Sequence, residues 1–414
     1  MILVAHPFGN QNVRALLEAL EQAGLLARFI TTLGWSEASP FLASFPQELQ
    51  RQLARRSYDL PPSRIKALRG REIVRLLAQK LGQHWLTEQQ RGWASIDRVW
   101  CELDSFAAAV LRESYRKDMI RIVYAYEDCA VSLFETAHEL GLGRAYDLPI
   151  AHWQTVQRLL QEEAERYPDW TPTLGGIRDS EEKLARKTRE LDLAEVVICP
   201  SAFVLESLPD RIRASKLCAV APFGSPCCDL GDAAKRQSDD GALRVLFVGA
   251  LSQRKGLADV FAAMKLVRSK QIELVVMGSL LRPLNWYREQ FPDFVYEAPR
   301  PHPDVLRLMQ ACDVLVLPSI VEGRALVQQE AMVCGLPLIV TRNGGGEDLI
   351  IEGKTGFLVP IRSPEAIAEK LDWFAANRAS LSGMANAAQD RASQLTWQNY
   401  GEKVIAALRS LTSE

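Results

Sequence analysis

Short apolar runs that end at a turn residue and lead into helix-period stretches constrain this chain more than any other feature. Leu243-Arg-Val-Leu-Phe-Val-Gly249, Ile272-Glu-Leu-Val-Val-Met-Gly278, Val314-Leu-Val-Leu-Pro318 and Pro337-Leu-Ile-Val-Thr341 follow one another in that way. A strand apolar on both faces must be covered on both, which demands a parallel sheet with helices on either side. A similar series runs upstream: an apolar run from Ile2 to Ala5, the turn His6-Pro7-Phe8-Gly9-Asn10, and a helical pattern through Val13, Leu16, Leu17 and Leu20. Further strand-like segments lie at 120–126, 144–148 and 196–199, with a long polar stretch, 154–190, between the last two.

The two series predict an α/β chain of two Rossmann-like domains, 1–225 and 226–395, joined through a polar linker at 225–242. A terminal segment, 396–414, has its helix-period apolar residues at Trp397, Tyr400, Val404 and Leu408. A length of 414 residues suits two or three domains. Two such domains leave a cleft between the carboxyl ends of their sheets, where open α/β folds bind ligands.

Residues 36–110 read as a helical insert. Between Glu48 and Lys80, nine Lys and Arg stand against three Asp and Glu, a local charge of +6, with leucines interspersed and Trp85, Trp93 and Trp100 following. Two readings stand for this basic amphipathic stretch: contact with an anionic membrane surface, or a solvated helical surface whose leucines pack inward. The chain as a whole carries a net charge of −2, which excludes a globally basic nucleic-acid binder. The N-terminus has no charged and apolar leader pattern, and no apolar run approaches spanning length, so a cytoplasmic chain is expected. The eight cysteines form no C-x-x-C pair and read as reduced, packed thiols.

Three motifs carry candidate chemistry. The first runs Pro318-Ser-Ile-Val-Glu322-Gly-Arg-Ala-Leu-Val-Gln-Gln-Glu330-Ala-Met-Val-Cys-Gly335-Leu-Pro337. Glu322 falls on the turn after a strand and Glu330 inside the next helix. The unpaired amides and positive dipole end of that helix suit an anion, and a carboxylate at 330 suits a cis-diol such as a ribose. The bland alternative makes Glu322 a helix cap and Glu330 a solvated side chain. The second motif, Gly249-Ala-Leu-Ser-Gln-Arg254-Lys255-Gly256, brings two cations to a glycine turn, suited to a diphosphate leaving group or simply a basic helix start. The third, Asn343-Gly-Gly-Gly-Glu-Asp348, is a glycine turn whose Asp348 would fall in a first helical turn.

The string 318–337 resembles the signature of the retaining family-4 glycosyltransferases, which have the GT-B fold. Arg324 and Ala325 replace that family's usual aromatic and glycine. Lys255 and Gly256 fit its Lys-Gly pair, Ala250 stands where it usually has arginine, and Asp348 stands at its acidic position after Gly-Gly. The resemblance implies that Glu322 contacts the donor sugar, Glu330 the ribose, and Lys255 with Arg254 the diphosphate. Gly249, Gly323, Arg324, Ala325 and Leu326 would line the donor site. It further places His152 facing the donor sugar and Gly9 beside donor and acceptor, and it matches Pro200-Ser201 and Ala221-Pro-Phe-Gly224 to domain-closing segments.

By that resemblance the chain is expected to be a metal-independent, retaining glycosyltransferase with no cofactor. It would take a UDP- or GDP-sugar as substrate and a glycan or lipid-linked acceptor, at the inner face of a membrane and with no nucleic-acid partner. Asp-x-Asp, P-loop and Gly-x-Ser-x-Gly strings are absent, and the five histidines do not cluster. A nucleotide-sugar epimerase, a phosphorylase on the same fold, and a catalytically silent sugar-binding module remain open alternatives.

Overall fold

The computed structural model describes residues 1–37, 56–175, 179–226 and 241–412. The 48–55 part of the basic stretch, Cys227 and Cys228, and most of the expected linker lie outside them.

The first lobe is built on β1 (Ile2–Ala5), whose four residues are all buried. Around it lie β2 (Leu26–Thr31), β3 (Ile65–Ala67), β4 (Ile122–Tyr126), β5 (Gly143–Asp147), β6 (Val196–Cys199) and β7 (Leu217–Val220). They form one seven-stranded parallel sheet in the order β3-β2-β1-β4-β5-β6-β7. Val4 lies opposite Phe29 on one side and Tyr124 on the other. α1 (Gln11–Gln22) buries Val13, Leu16, Leu17 and Leu20, the face its sequence period marks out.

The second lobe has β8 (Leu243–Val248), β9 (Ile272–Met277), β10 (Phe294–Glu297), β11 (Val314–Leu317), β12 (Leu338–Val340) and β13 (Gly356–Leu358). They are again parallel, in the order β10-β9-β8-β11-β12-β13. The lobe's apolar interior runs from Leu243 to Ala392.

The insert is not wholly helical. Trp35–Ser36 and Ser57–Tyr58 form a short parallel ladder, and β3 adds an edge strand beside β2. The Pro61-Pro62 pair bars a helix through this segment, and the open edge of β2 supplies the backbone partners that local leucine spacing cannot reveal. Three helices follow among the described residues: α2 (Gly70–Lys80), the single turn His84–Thr87, and α3 (Ile96–Ser114). α3 belongs to the lobe's core: its Leu103, Ala107 and Leu111 are buried with Leu133 and Phe134 of α4 (Val131–Glu139). Its N-cap, Ser95, accepts the Arg98 amide.

Two segments tie the lobes together. The first is α5 (Trp153–Arg166) with the 3₁₀ turn Pro168–Thr173. This polar stretch leaves the first lobe and inserts Trp170, 3% exposed, among Phe261, Trp286 and Tyr287 of the second. Ala151, Leu159, Leu160 and Leu174 of the same segment bury Ile320 and Val321. Ionic contacts complete the bracket. Buried Glu163 accepts a hydrogen bond from Gln253 Nε2 at 2.6 Å and another from Arg362, while Arg166 donates to Asp259 at 2.7 Å. The second tie is the C-terminal helix α6 (Trp397–Arg409), which returns to the first lobe. There Tyr400, Val404 and Leu408 join the core of Ile2, Val13 and Leu16, and Gly401 packs on Ala19 of α1.

Trp170 is thus a first-lobe side chain solvated by the second lobe's interior. Trp170→Ala should lower unfolding stability by about 3–5 kcal/mol, the usual cost of emptying a buried aromatic site. Urea denaturation followed by circular dichroism reads it; a loss below 1 kcal/mol would show that the bracket does not depend on this residue.

Candidate active site at the junction of the lobes

β8 ends in the turn 249–252, continues as the 3₁₀ turn Gln253–Lys255, and enters α7 (Leu257–Leu266) through Gly256. Gly256 has φ +81°, and a Cβ there would fall 2.2 Å from the carbonyl oxygen of Pro318. Only glycine lets this turn close on the end of β11. The amide of Ile320 donates to the carbonyl of Arg254 at 2.9 Å, so the turn and the 318–322 loop are stitched backbone to backbone.

That stitch brings Arg254, Lys255 and Glu322 together. Arg254 donates to a Glu322 carboxylate oxygen at 3.0 Å, and Lys255 Nζ pairs with the same oxygen. Burial pushes the Glu322 carboxyl up, but Lys255 and Arg254 overrule it and hold the group below its usual range. Burial lowers Lys255, with Arg254 adding to that and Glu322 opposing it. Two cations thus share one carboxylate, and the three residues carry one positive charge in excess in a largely desolvated place. Glu322 is neither a cap nor solvated, since the next helix, α8 (Leu326–Val333), begins four residues later.

The other residues of the first motif expected to line a donor site occupy different surroundings. The position a Gly323 Cβ would take lies 1.7 Å from the Pro149 carbonyl oxygen of the first lobe, and Ser201 donates to the Gly323 carbonyl at 2.8 Å. Arg324 turns inward: its side chain is fully buried and bonds Asp348 at 2.7 Å, Gln329 Oε1 at 2.8 Å and the Gly345 carbonyl at 3.3 Å. The structure therefore places it under the loop 343–348 and not in the cleft. Asp348 does not start a helix, because the chain there forms the 3₁₀ turn Arg342–Gly344 with Gly345 at φ +74°. Ala325 is the N-cap of α8, and its amide is bonded to the Gly344 carbonyl, as that of Glu322 is to Asn343. Those two amides are spent within the protein. Leu326 packs toward the first lobe's core.

Glu330 lies one turn inside α8 and contacts His302 Nε2 at 3.0 Å. His302 opens the helix His302–Gln310 and was not singled out in the sequence; its only mark there is the string Pro301-His302-Pro303. Gly249, at φ +152°, leaves β8 with the Lys255 stem in ordinary contact below it.

Across the junction, His152 is buried and its amide donates to Ser207 Oγ at 2.8 Å. Burial, then Lys187 and Arg211, lower its imidazole to about 4, so the ring is neutral near pH 7. Among the described residues its Nδ1 has no hydrogen-bond partner. Gly9 faces Tyr58, whose ring and hydroxyl occupy the place of a Cβ, and Arg14 donates to the Gly9 carbonyl at 3.0 Å.

Tyr126-Glu127-Asp128 ends β4 in a buried charge cluster. Lys187 reaches Glu127 at 3.3 Å, Lys183 reaches Asp97 at 3.0 Å, and Arg186 reaches Asp128 at 3.0 Å. Burial pushes Glu127 up to about 7, against the pull of Lys187. Asp128 holds φ +73°, a conformation costly for a side-chain-bearing residue. The charge run 181–187 is visible in the sequence, but its partners lie far away along the chain. A cavity of about 170 Å³ joins this cluster to the cation turn, lined by Trp153, Gln157, Asp179, Lys187 and Arg254 among others. A much larger groove of about 1070 Å³, on the α1 and C-terminal helix side, holds none of the predicted site residues. Among the described residues no three His, Cys, Asp or Glu side chains are grouped to hold a metal, and no helix is long and apolar enough to cross a membrane.

Contact at Gly323 makes lobe approach measurable. Gly323→Ala should force the lobes apart at this point and enlarge the scattering radius of gyration in solution while both lobes stay folded; an unchanged profile would mean that the lobes do not rest on this contact.

Residues 232–391 match the family described as glycosyl transferases group 1. A D-inositol 3-phosphate glycosyltransferase of Corynebacterium urealyticum is 34% identical over 113 residues, 27% of each chain. One from Pseudarthrobacter chlorophenolicus is 29% identical over 170 residues, 38% of this chain and 40% of that one. The chain thus spans less than half the length of these curated relatives. Likeness in structure runs end to end: sucrose-phosphate synthase from Thermosynechococcus elongatus superposes with a TM-score of 0.66 at 18% identity, covering 100% of this chain and 99% of that one. Anabaena HepE, in complex with UDP-glucose, gives 0.58 at 17% identity and covers 99% of both. The chain therefore carries a glycosyl transferases group 1 domain at 232–391, within two Rossmann-like lobes that have the GT-B fold.

Proposed function

We propose that the chain is a retaining, family-4 type glycosyltransferase that moves a sugar from a UDP- or GDP-sugar to a glycan or lipid-linked acceptor, without metal or cofactor. The observation that carries the reading is the surplus positive charge of Arg254 and Lys255 around Glu322, half-buried beyond the carboxyl ends of β8 and β11. A diphosphate gains negative charge as the glycosidic bond breaks, and preorganised cations in a desolvated place stabilise that change more than they stabilise the ground state.

In this reading the second lobe holds the donor and the first the acceptor. Lys255 and Arg254 meet the diphosphate, Glu322 orients them and the donor sugar, and Glu330 with His302 bonds the ribose diol. His152, neutral at working pH, offers its unpartnered nitrogen to a sugar hydroxyl. Both cations hold Glu322, which argues against its attacking the anomeric carbon. The acceptor hydroxyl oxygen then bonds that carbon on the face the diphosphate leaves and passes its proton to the departing phosphate oxygen, so the sugar–diphosphate bond is replaced with configuration retained. The cavity of about 170 Å³ beside Trp153, Asp179 and Lys187 is on the scale of one acceptor sugar ring. Work at the inner face of a membrane fits a lipid-linked acceptor.

The test is a donor panel assayed with and without acceptor and with and without chelator. Product with retained anomeric configuration, formed only with acceptor and indifferent to chelator, is expected. An epimerised donor, phosphate-dependent turnover, or nucleotide binding without turnover would instead favour the three alternative activities. Lys255→Ala should lower turnover about 10²-fold, as loss of one preorganised donor to a developing anion does, and an unchanged rate would remove it from the diphosphate. Glu330→Ala should weaken UDP or GDP binding by about 1–3 kcal/mol in calorimetry; equal affinity would reject the ribose contact.

A further inference from the structure

Helix α2 (Gly70–Lys80) is mounted inside out. Its protein-facing side holds Glu72 and Ala78, and buried Glu72 takes Arg56 at 2.8 Å and Arg75 at 2.6 Å. Its outward side carries Ile73, Leu76 and Leu77, a spacing of three and four that makes one stripe. The stripe continues past the helix end to Leu81, 70% exposed, and the same region exposes Trp85 at 67% and Trp93 at 53%. Soluble surfaces scatter such residues singly; a continuous set marks a contact. Exposed Lys66, Arg69, Lys80, Arg91 and Arg98 accompany it, against Glu88 as the exposed acid between 64 and 98. Arg71 lies 4.5 Å over the Trp93 ring, and Trp85 and Trp93 are the amphipathic kind of side chain that settles at a headgroup boundary. The chain's net charge is −2, so this cationic patch stands out from the whole.

We infer that this face docks on an anionic lipid surface, with Ile73, Leu76, Leu77, Leu81 and the two tryptophans entering the headgroup layer and the cations meeting lipid phosphates. The inner side of the same helix meets the turn after β1: Arg75, and Arg56 held by Glu72, lie 5.9 and 5.3 Å over the ring of Phe8. A membrane held there sits beside the lobe to which the proposed function assigns the acceptor. The inference deepens that reading, but its test needs neither donor nor acceptor.

Full-length protein is sedimented with vesicles of phosphatidylcholine, with and without phosphatidylglycerol. Binding to the anionic vesicles is expected, weakened by salt, and weaker by roughly tenfold or more on neutral ones. The double substitution Leu77→Glu, Leu81→Glu should reduce it by roughly tenfold or more while leaving the thermal midpoint unchanged. No binding to anionic vesicles overturns the inference. So does binding that the double substitution leaves intact, a dimer that it dissolves in the absence of vesicle binding, or a fall in thermal midpoint showing that the stripe packs within the protein. Glycosyl transfer that persists without vesicle binding would sink this inference alone; vesicle binding without transfer would sink only the proposed function.

Discussion

Everything at the junction depends on how Gln253 is held. Its amide group donates to Glu163 of the first lobe and to Asp259 of its own, its carbonyl oxygen accepts the Ala258 amide, and its backbone N–H bonds Thr173. These groups are buried, so each would be costly to leave unmade. The next two residues are Arg254 and Lys255. The interaction that docks α5 on the second lobe is therefore the one that sets the position of the cation turn, and the charge arrangement around Glu322 follows from lobe packing.

The same docking explains the close approach elsewhere. With α5 and Trp170 seated in the second lobe, the segment leading into α5 has little freedom, and Pro149 comes to rest where a Gly323 side chain would be. Gln329 donates to the Phe223 carbonyl at 2.9 Å and to Ser225 at 3.2 Å, and the C-terminal helix closes the far side. The lobes meet through polar groups with defined partners as well as through apolar seats: Trp170 in the second lobe, the cluster around Ile320 and Val321, and the C-terminal helix on the first lobe.

Arg324 shows how local chemistry adapts. In the sequence it is a departure from a motif beside a sugar pocket. In the structure it is the buried partner of Asp348, another motif position, 24 residues away. The pair, with Gln329 and the Gly345 carbonyl, ties the loop 343–348 to the start of α8. Changing Asp348 alone would leave the Arg324 guanidinium short of its counter-charge in a buried place.

Local pattern alone determined the two parallel sheets. Strands apolar on both faces, glycine turns and period-3.6 helices are written in neighbouring residues, and the Glu322–Glu330 and Arg254-Lys255 strings mark the site because their spacing is short-range. The insert is helical only in part, because β3 owes its strand state to the open edge of β2, which no window of leucines reports. Glu127 and Lys187, His302 and Glu330, and Gln253 and Glu163 were out of reach for the same reason: they meet across 28 to 90 residues of chain. Only tertiary structure decided that α5 and the turn Pro168–Thr173 bracket the lobes and that the leucines of α2 face outward, because burial is a property of what packs against a face, and a helix period states only that a face exists.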